Sequence, residues 1–474
     1  MAAPCGMACD LFRFQSHIKY VINLYKQHIF SAFSKYRGLH TISRHHCDVE
    51  LCRYPPLLSL QRIIRTQQVH QDRDGPTPQA KRSYQSSKKE ATRRRLVLGI
   101  ETSCDETGAA VVDECGSIVG ECLHSQKEIH SKNGGIIPPV AQALHEQYID
   151  HVVQNAMDAA NIKWTDLSAV ATTIMPGLAL SLSVGLQYSK DVIKKTGLPF
   201  IPVHHMEAHA LTIRMVERVE FPFLVFLVSG GHCIIAVARD LGNYLILGQT
   251  KDDAPGEAYD KIARKLKLNE HPQCIGMSGG QAIEHLAQTG DREVMKAYTP
   301  NLQSKDCTFS FSGVKSMVSQ FISKEEKIQD VQAAQLSNIN DIAAAFQFKV
   351  THQLVKKIAR AMIYCKENSL IDTCHQTMVL SGGVASNGYI RNAMQYVCNE
   401  YGYRFLCPPP KLCTDNGTMI AWTGMERLKR NIGIANEVQN IRYEPKYPLG
   451  EDISDQVKAE QITVPSIQFW KKCY

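Results

Sequence analysis

His205 and His209 stand four residues apart in the run 203 to 209, Val-His-His-Met-Glu-Ala-His. On a helix, positions i and i+4 share a face, so both imidazoles can reach one divalent ion. A zinc protease would need Glu directly after the first His as its general base. Met206 fills that place. A chain with 18 histidines also produces such pairs for structural reasons. A metal reading therefore needs a third ligand and a substrate site, and its chemistry is not that of the H-E-x-x-H proteases.

Three small polar turns offer the substrate site. Residues 101 to 107 (Glu-Thr-Ser-Cys-Asp-Glu-Thr) separate the apolar runs 96 to 100 and 108 to 112. About 125 residues later the pattern recurs, with 229 to 232 (Ser-Gly-Gly-His) between the apolar runs 221 to 228 and 233 to 238. A third turn, 381 to 387 (Ser-Gly-Gly-Val-Ala-Ser-Asn), follows the strand-like run 377 to 380 and opens a helical stretch. Small residues let the backbone approach an anion and leave N–H groups free to point at it, and a following helix N-terminus adds a favourable dipole. One Ser-Gly-Gly turn is ordinarily a plain β-turn. Three, two of them in repeated hairpins, point to a nucleotide-type site, where Asp105 would hold a metal or water rather than the phosphate.

The elements that must position these turns are legible. Apolar runs bounded by polar turns predict strands. Helical periodicity is clear over 141 to 160, 182 to 195, 341 to 367 and 417 to 429. The expectation is an α/β protein of two similar lobes with ligand bound between them. The lobes are read as 96 to 220 and 221 to 447, the second with a helical insertion, after a leader and linker over 1 to 95 and before a tail over 448 to 474.

Charge divides unevenly. Residues 1 to 95 hold 17 Lys and Arg against 6 Asp and Glu, which leaves 36 against 40 for the rest, so the +7 net charge belongs to the N-terminal segment. No acidic residue occurs from 11 to 47, while bulky apolar and basic residues alternate there. That pattern predicts a mitochondrial transit peptide, the other reading being a basic tail that binds RNA or an acidic partner. No apolar run is long enough to span a membrane. The 16 cysteines contain no C-x-x-C pair, which argues against a zinc ribbon. Cys104, inside the first turn, is the one cysteine placed near possible chemistry.

The repeated hairpins and the later Gly-rich turn resemble the actin, sugar kinase and heat-shock ATPase superfamily. Seven ordered motifs narrow this: 101 to 107, 205 to 209, 228 to 232, 255 to 261 (Pro-Gly-Glu-Ala-Tyr-Asp-Lys), 309 to 315 (Phe-Ser-Phe-Ser-Gly-Val-Lys), 381 to 387 and 413 to 417 (Cys-Thr-Asp-Asn-Gly). Together they resemble the tRNA threonylcarbamoyladenosine synthesis family over roughly residues 96 to 447, and with the basic leader its mitochondrial members.

The resemblance implies one divalent metal ion, iron or zinc, on His205, His209 and Asp415. Some relatives add Tyr before the second turn, where this chain has Leu227, so water or substrate would complete the shell. It implies that Leu227, Val228, Ser229, Gly230 and Gly231 line the phosphate and acyl region, that Asp260 and Glu284 accept ribose hydroxyls, that Gly280 lets the sugar approach, and that Ser386 and Asn387 meet the adenine. The family's compact Pro-Gly-Gly turn is expanded here over 271 to 280. The implied reaction moves the threonylcarbamoyl group from threonylcarbamoyl-AMP, made by a separate synthase, to the exocyclic amine of the adenosine 3′ to the anticodon (position 37). The tRNAs are those that read codons beginning with A. Asp105 is the candidate for orienting that amine or taking its proton. Lys251, Lys261 and Lys315 are candidate contacts to tRNA phosphates. A homodimer in the mitochondrial matrix, away from any membrane, completes the expectation.

Three rivals are weighed against it. An ATP-dependent phosphotransferase or ATPase could use the same fold, although Mg-ATP sites prefer oxygen ligands to a His pair. A glycoprotein-directed metalloprotease, a name the family has carried, conflicts with Met206. A nucleotide-gated chaperone would need a further substrate domain, and the residues after Tyr447 are too few to form one.

Overall fold

The apolar run 96 to 100 and the Glu101 that follows it form the first strand among the described residues, β1 (Leu96–Glu101), and every residue of it is buried, as expected of a strand covered on both faces. The computed structural model describes residues 94–297 and 304–471; the leader expected over 1 to 95 lies almost wholly outside them. β1 pairs antiparallel with β2 (Glu106–Asp113), which pairs with β3 (Ile118–Ser125). On its other side β1 runs parallel to β4 (Ala169–Met175), and β4 to β5 (Phe200–His204). Two helices, α1 (Pro138–Ala159) and α2 (Ala179–Thr196), make the connections around β4. A proline in its first turn starts α1, and Gly197 at φ 70° closes α2 in the left-handed conformation that glycine adopts freely.

The second sheet repeats this connectivity. β6 (Phe223–Val228), β7 (Cys233–Asp240) and β8 (Asn243–Gln249) are antiparallel neighbours, and β9 (Thr377–Ser381) and β10 (Arg404–Leu406) follow in parallel beyond β6. With β11 (Glu451–Asp452) at the outer edge beyond β8, the orders are β3-β2-β1-β4-β5 and β10-β9-β6-β7-β8-β11. The duplication read from two hairpins thus extends to five strands in each half, and the protein has the two similar α/β lobes that the hairpins predict. Among the described residues, four α-helices lie between β8 and β9: α4 (Pro255–Lys265), α5 (Gly279–Ala287), α6 (Ser312–Gln329) and α7 (Ile339–Glu367). They share the largest hydrophobic cluster with the second sheet and with α8 (Gly388–Tyr401).

The last long helix, α9 (Gly417–Arg430), departs from the sequence division at 220. It follows the second sheet in the chain, yet Met419, Ile420, Ala421, Trp422 and Met425 pack with Val97, Val112, Ala169 and Ala171 of the first. Missing side chains permit this approach: a Cβ on Gly99 would stand 2.2 Å from the Ala421 nitrogen, and one on Gly417 2.4 Å from the Ala109 carbonyl carbon. The halves are therefore interleaved rather than consecutive. The segment expected as a tail also contributes, since β11 (Glu451–Asp452) pairs with β8 and Phe469 is fully buried. Among the described residues no helix is long and apolar enough to cross a membrane.

Candidate functional site

His205 and His209 lie on α3 (His205–Leu211), entered directly from β5. The preceding His204 caps this helix, its Nδ1 accepting the N–H groups of Met206 and Glu207 at 3.2 and 3.4 Å. Burial pushes His204 down to about 4, so its imidazole stays neutral and able to accept. The rings of His205 and His209 stand perpendicular with centroids 4.8 Å apart. Their Nε2 atoms lie 3.6 and 3.0 Å from Asp415 Oδ1, on the loop that enters α9. Neighbouring ligands of one ion with bonds of about 2.0–2.2 Å are spaced in this way. Two imidazoles and a carboxylate form a borderline donor set that suits zinc or iron and leaves positions open. The residues present thus fit a divalent ion.

Behind His205 stands Glu101, the last residue of β1. Its Oε2 is 3.2 Å from His205 Nδ1 and accepts the Thr173 hydroxyl at 2.6 Å, while Oε1 accepts the Ser103 N–H at 2.5 Å. The Ser103 hydroxyl also meets His205 Nδ1, at 3.1 Å. Burial pushes His205 down, but Glu101 and Asp415 outweigh it and raise the imidazole to about 9. Burial likewise opposes ionisation of Asp415, and the neighbouring His205 and His209 prevail, holding that carboxyl far below its usual range. Met206 packs in the core, and Glu207 is engaged by Arg427 and by the Gly242 N–H at 2.6 Å. Neither is placed to act as a protease base.

Asp105 is half-buried in the first turn, and its carbonyl accepts the Gln126 N–H at 2.9 Å. Burial, reinforced by Asp105, pushes the Cys104 thiol well above its usual range, so it stays protonated and offers no thiolate. His145 braces this turn, bonding the Thr107 hydroxyl at 2.7 Å and the Cys104 carbonyl at 3.0 Å.

The second turn, between β6 and β7, is closed by Ser229 donating to the His232 carbonyl at 2.8 Å and by the His232 N–H donating to Ser229 Oγ at 3.0 Å. Gly230 and Gly231 at its tip are exposed, and their N–H groups make no hydrogen bond among the described residues. The His232 ring lies 6.5 Å from that of His205, which brings this turn beside the His-Asp group. Burial first, then the charges of His205 and His209, lower His232 to about 4. Leu227 and Val228 are fully buried, their side chains in separate hydrophobic clusters, so only their backbone is available to the turn.

The third turn abuts the second, since a Cβ on Gly382 would stand 2.4 Å from the Val228 carbonyl oxygen. Asn387 caps α8 by accepting the Ile390 N–H at 2.9 Å and donates to Gln347 Oε1 at 2.9 Å. Both ends of the amide expected to meet adenine are thus engaged. Ser386 Oγ is buried with no hydrogen-bond partner among the described residues. Glu284 Oε1 accepts the Gly388 N–H at 2.7 Å, so this carboxylate sits on the α8 N-terminus, and burial raises it. Asp260 is exposed on α4, where loss of hydration, opposed by Arg264 and reinforced by Asp105, raises its carboxyl. A Cβ on Gly279 would stand 2.6 Å from Asp260 Oδ1, whereas one on Gly280 would meet open space.

The structure brings His205, His209 and Asp415 together, with the second turn and its Leu227, Val228, Ser229, Gly230 and Gly231 next to them through His232; Glu284, Ser386 and Asn387 gather around the start of α8, Asp260 lies against Gly279, which precedes Gly280, and Asp105 stands in the first turn. The lysines named as phosphate contacts fare differently. Lys261 pairs with Asp253 at 2.8 Å and Glu257 at 2.7 Å, and Lys315 also pairs with Asp253. Those two serve one internal carboxylate; Lys251 alone has no ion pair among the described residues. Sequence reasoning assigned no role to Glu101, His145, His232 or Gly279. For Glu101 a signal existed: a carboxylate ending a wholly apolar strand must find a buried partner.

Comparison with known proteins gives this geometry its family. The model of the family TsaD, tRNA N6-adenosine threonylcarbamoyltransferase, matches residues 117–422. The chain is 53% identical over 379 residues to "tRNA N6-adenosine threonylcarbamoyltransferase, mitochondrial" of Danio rerio, covering 80% of this chain and 94% of that one. The protein of the same name from Homo sapiens is 51% identical over 375 residues, covering 79% and 91%. A "tRNA N6-adenosine threonylcarbamoyltransferase" of Anaplasma marginale is 43% identical over 335 residues, covering 70% and 93%. A family match over residues 117–422, with identities above half to two relatives covered over more than nine-tenths of their length, makes this chain a member of the TsaD family of tRNA N6-adenosine threonylcarbamoyltransferases.

Proposed function

We propose that this enzyme transfers the threonylcarbamoyl group of threonylcarbamoyl-AMP to the exocyclic amine of the adenosine 3′ to the anticodon, in mitochondrial tRNAs that read codons beginning with A. The observation that carries this reading is the convergence of His205, His209 and Asp415 beside a turn whose Gly230 and Gly231 N–H groups make no hydrogen bond among the described residues. His205, His209 and Asp415 would hold a divalent metal, zinc or iron, which when bound supplies positive charge beside the acyl phosphate.

The rest is the work of side chains and backbone. A mixed anhydride already has a good leaving group, so no protein nucleophile is required, and the protonated Cys104 is not needed as one. Positioning dominates: a bound acyl donor and a bound adenosine react as if in one molecule. Gly230 and Gly231 donate N–H groups to oxygen that gains charge as the acyl–phosphate bond breaks. Asp260 takes the ribose hydroxyls, and Gly280, where a Cβ would meet open space, leaves room for the sugar. Ser386 and the backbone of the third turn meet the adenine. Asp105 orients the attacking amine or takes its proton. The acyl donor comes from a separate synthase, the enzyme acts as a homodimer, and the site of action is the mitochondrial matrix.

The test is a nucleoside assay. Protein lacking residues 1 to 95, supplied with threonylcarbamoyl-AMP, divalent metal and unmodified mitochondrial tRNA, is expected to form threonylcarbamoyladenosine, read by mass spectrometry. No product, while a bacterial relative succeeds in parallel, overturns the reading.

A further inference from the structure

Lys127 opens the short helix Lys127–Lys132 directly behind the first turn. The Gln126 N–H, one residue earlier, donates to the Asp105 carbonyl at 2.9 Å and ties this helix to the turn. The Lys127 ammonium pairs with Glu106 Oε1 at 2.5 Å. Glu106 is only 3% exposed, also accepts the Ser125 hydroxyl at 3.1 Å, and keeps an Oε2 with no partner among the described residues. The Lys127 side chain is 57% exposed. Its charge is therefore anchored by a buried carboxylate on a side chain that stays more than half exposed.

The surroundings are acidic. Glu101, Asp105 and Glu106 belong to the first turn and its flanking strands, Glu101 meets His205, which in turn meets Asp415, and the field of Lys127 reaches Asp260 and Asp415 on other elements. Burial opposes the charge of Lys127 itself, but Glu106, Asp105 and Asp415 outweigh it. The other cation beside Asp260, Arg264, spends a guanidinium N–H on the Gly134 carbonyl at 2.8 Å. Lys261 and Lys315 are bound to Asp253. An acyl-adenylate carries two anionic groups, the phosphate and the threonyl carboxylate. Carboxyl groups alone would repel it, so a fixed and exposed ammonium among them has a specific use.

We propose that Lys127, anchored by Glu106 and placed beside Asp105, binds an anionic oxygen of the acyl-adenylate substrate. The inference rests on the acyl donor assigned under Proposed function. Lysine suits the task as a compact charge on a flexible stem, and the Glu106 tether reduces the freedom that binding must remove.

The experiment compares the native chain, Lys127→Met and Lys127→Arg, with threonylcarbamoyl-AMP and unmodified tRNA varied separately. Lys127→Met is expected to raise KM for the acyl-adenylate about tenfold or more, the size of one charge-assisted contact, with KM for tRNA unchanged. Lys127→Arg is expected to recover most of the loss. Calorimetric binding of AMP to the same proteins separates the two anions. AMP binding weakened in step assigns the phosphate, and unchanged AMP binding assigns the threonyl carboxylate. An unchanged acyl-adenylate KM in folded Lys127→Met overturns the proposal, as does a rise confined to tRNA or an equal loss in Lys127→Arg. If the native chain forms no threonylcarbamoyladenosine, the function assigned above fails by itself. Direct binding of threonylcarbamoyl-AMP to native and Lys127→Met protein then decides the role of the lysine: a tenfold weakening supports it and equal binding overturns it.

Discussion

Glu101 Oε2 lies 3.2 Å from His205 Nδ1, and this contact decides which nitrogen of His205 faces Asp415. With Nδ1 held by Glu101 and by the Ser103 hydroxyl, Nε2 is the atom directed at Asp415. The same carboxylate takes the Ser103 N–H, so one buried group shapes the first turn and aims the first histidine of the pair. Carboxylates behind a metal-binding imidazole serve to fix its orientation and raise its basicity.

Removing that charge tests the arrangement. Glu101→Gln keeps the side-chain length and an oxygen acceptor but loses the negative charge. Metal affinity is expected to fall about 10- to 100-fold, the usual effect of losing such a partner. Titration of metal-free protein with zinc and iron reads this directly, and an affinity equal to that of the native chain would show that Glu101 only shapes the turn.

The ligand set itself is tested by His205→Ala and Asp415→Ala. Each removes one of the three converging donors, and each is expected to lose bound metal in elemental analysis while keeping a native circular dichroism spectrum. Full retention of metal by both variants would sink the assignment.

How much of this was legible follows from range. The His pair is local, four residues on one helix, and the hairpins announce themselves through apolar runs around polar turns. Asp415 is 206 positions from His209, and no periodicity links them; only the resemblance to a family did. The placement of α9 on the first sheet was not legible, because it depends on what Gly99 and Gly417 lack rather than on any pattern they form. Lys261 and Lys315 read as free cations along the chain, whereas the fold brings both to Asp253. Asn387 carries the same ambiguity: an Asn before a helix is equally a cap, and here its amide does that work.

The α9 contact yields a stability prediction. A Cβ on Gly99 would meet backbone atoms of α9, the Ala421 nitrogen at 2.2 Å and the Gly417 oxygen at 2.4 Å, and backbone cannot swing aside as a long side chain can. Gly99→Ala is expected to destabilise the protein by about 1–3 kcal/mol, in the range of core overpacking. Because α9 begins two residues after Asp415, the displaced helix is also expected to weaken metal binding. Urea unfolding and metal content, measured on the same preparation, check both effects; native values for both would mean that the sheet and helix separate without cost.

Asp306 and Lys357 give the pH prediction. They form an ion pair at 2.7 Å with side chains 5% and 4% exposed, and Lys357 also donates to the Asp306 carbonyl at 2.9 Å. Burial would raise the Asp306 carboxyl, but Lys357 and nearby hydroxyl donors overcome it and hold it well below the usual carboxylate range. Burial also depresses Lys357, with Asp306 supporting its charge. A carboxyl whose pKa is lower in the folded than in the unfolded chain contributes stability above the unfolded value. That contribution is lost as pH falls, because the unfolded chain then takes up the proton first. The window lies below about pH 4, the ordinary range of an aspartate. Asp306→Asn removes the charge and strands a buried ammonium, which at neutral pH is expected to cost about 3 kcal/mol or more. The deficit relative to the native chain should narrow as pH is lowered through this window. Urea unfolding of both proteins between pH 7 and pH 3 measures it, and a deficit that stays constant with pH would show that the pair contributes through packing rather than charge.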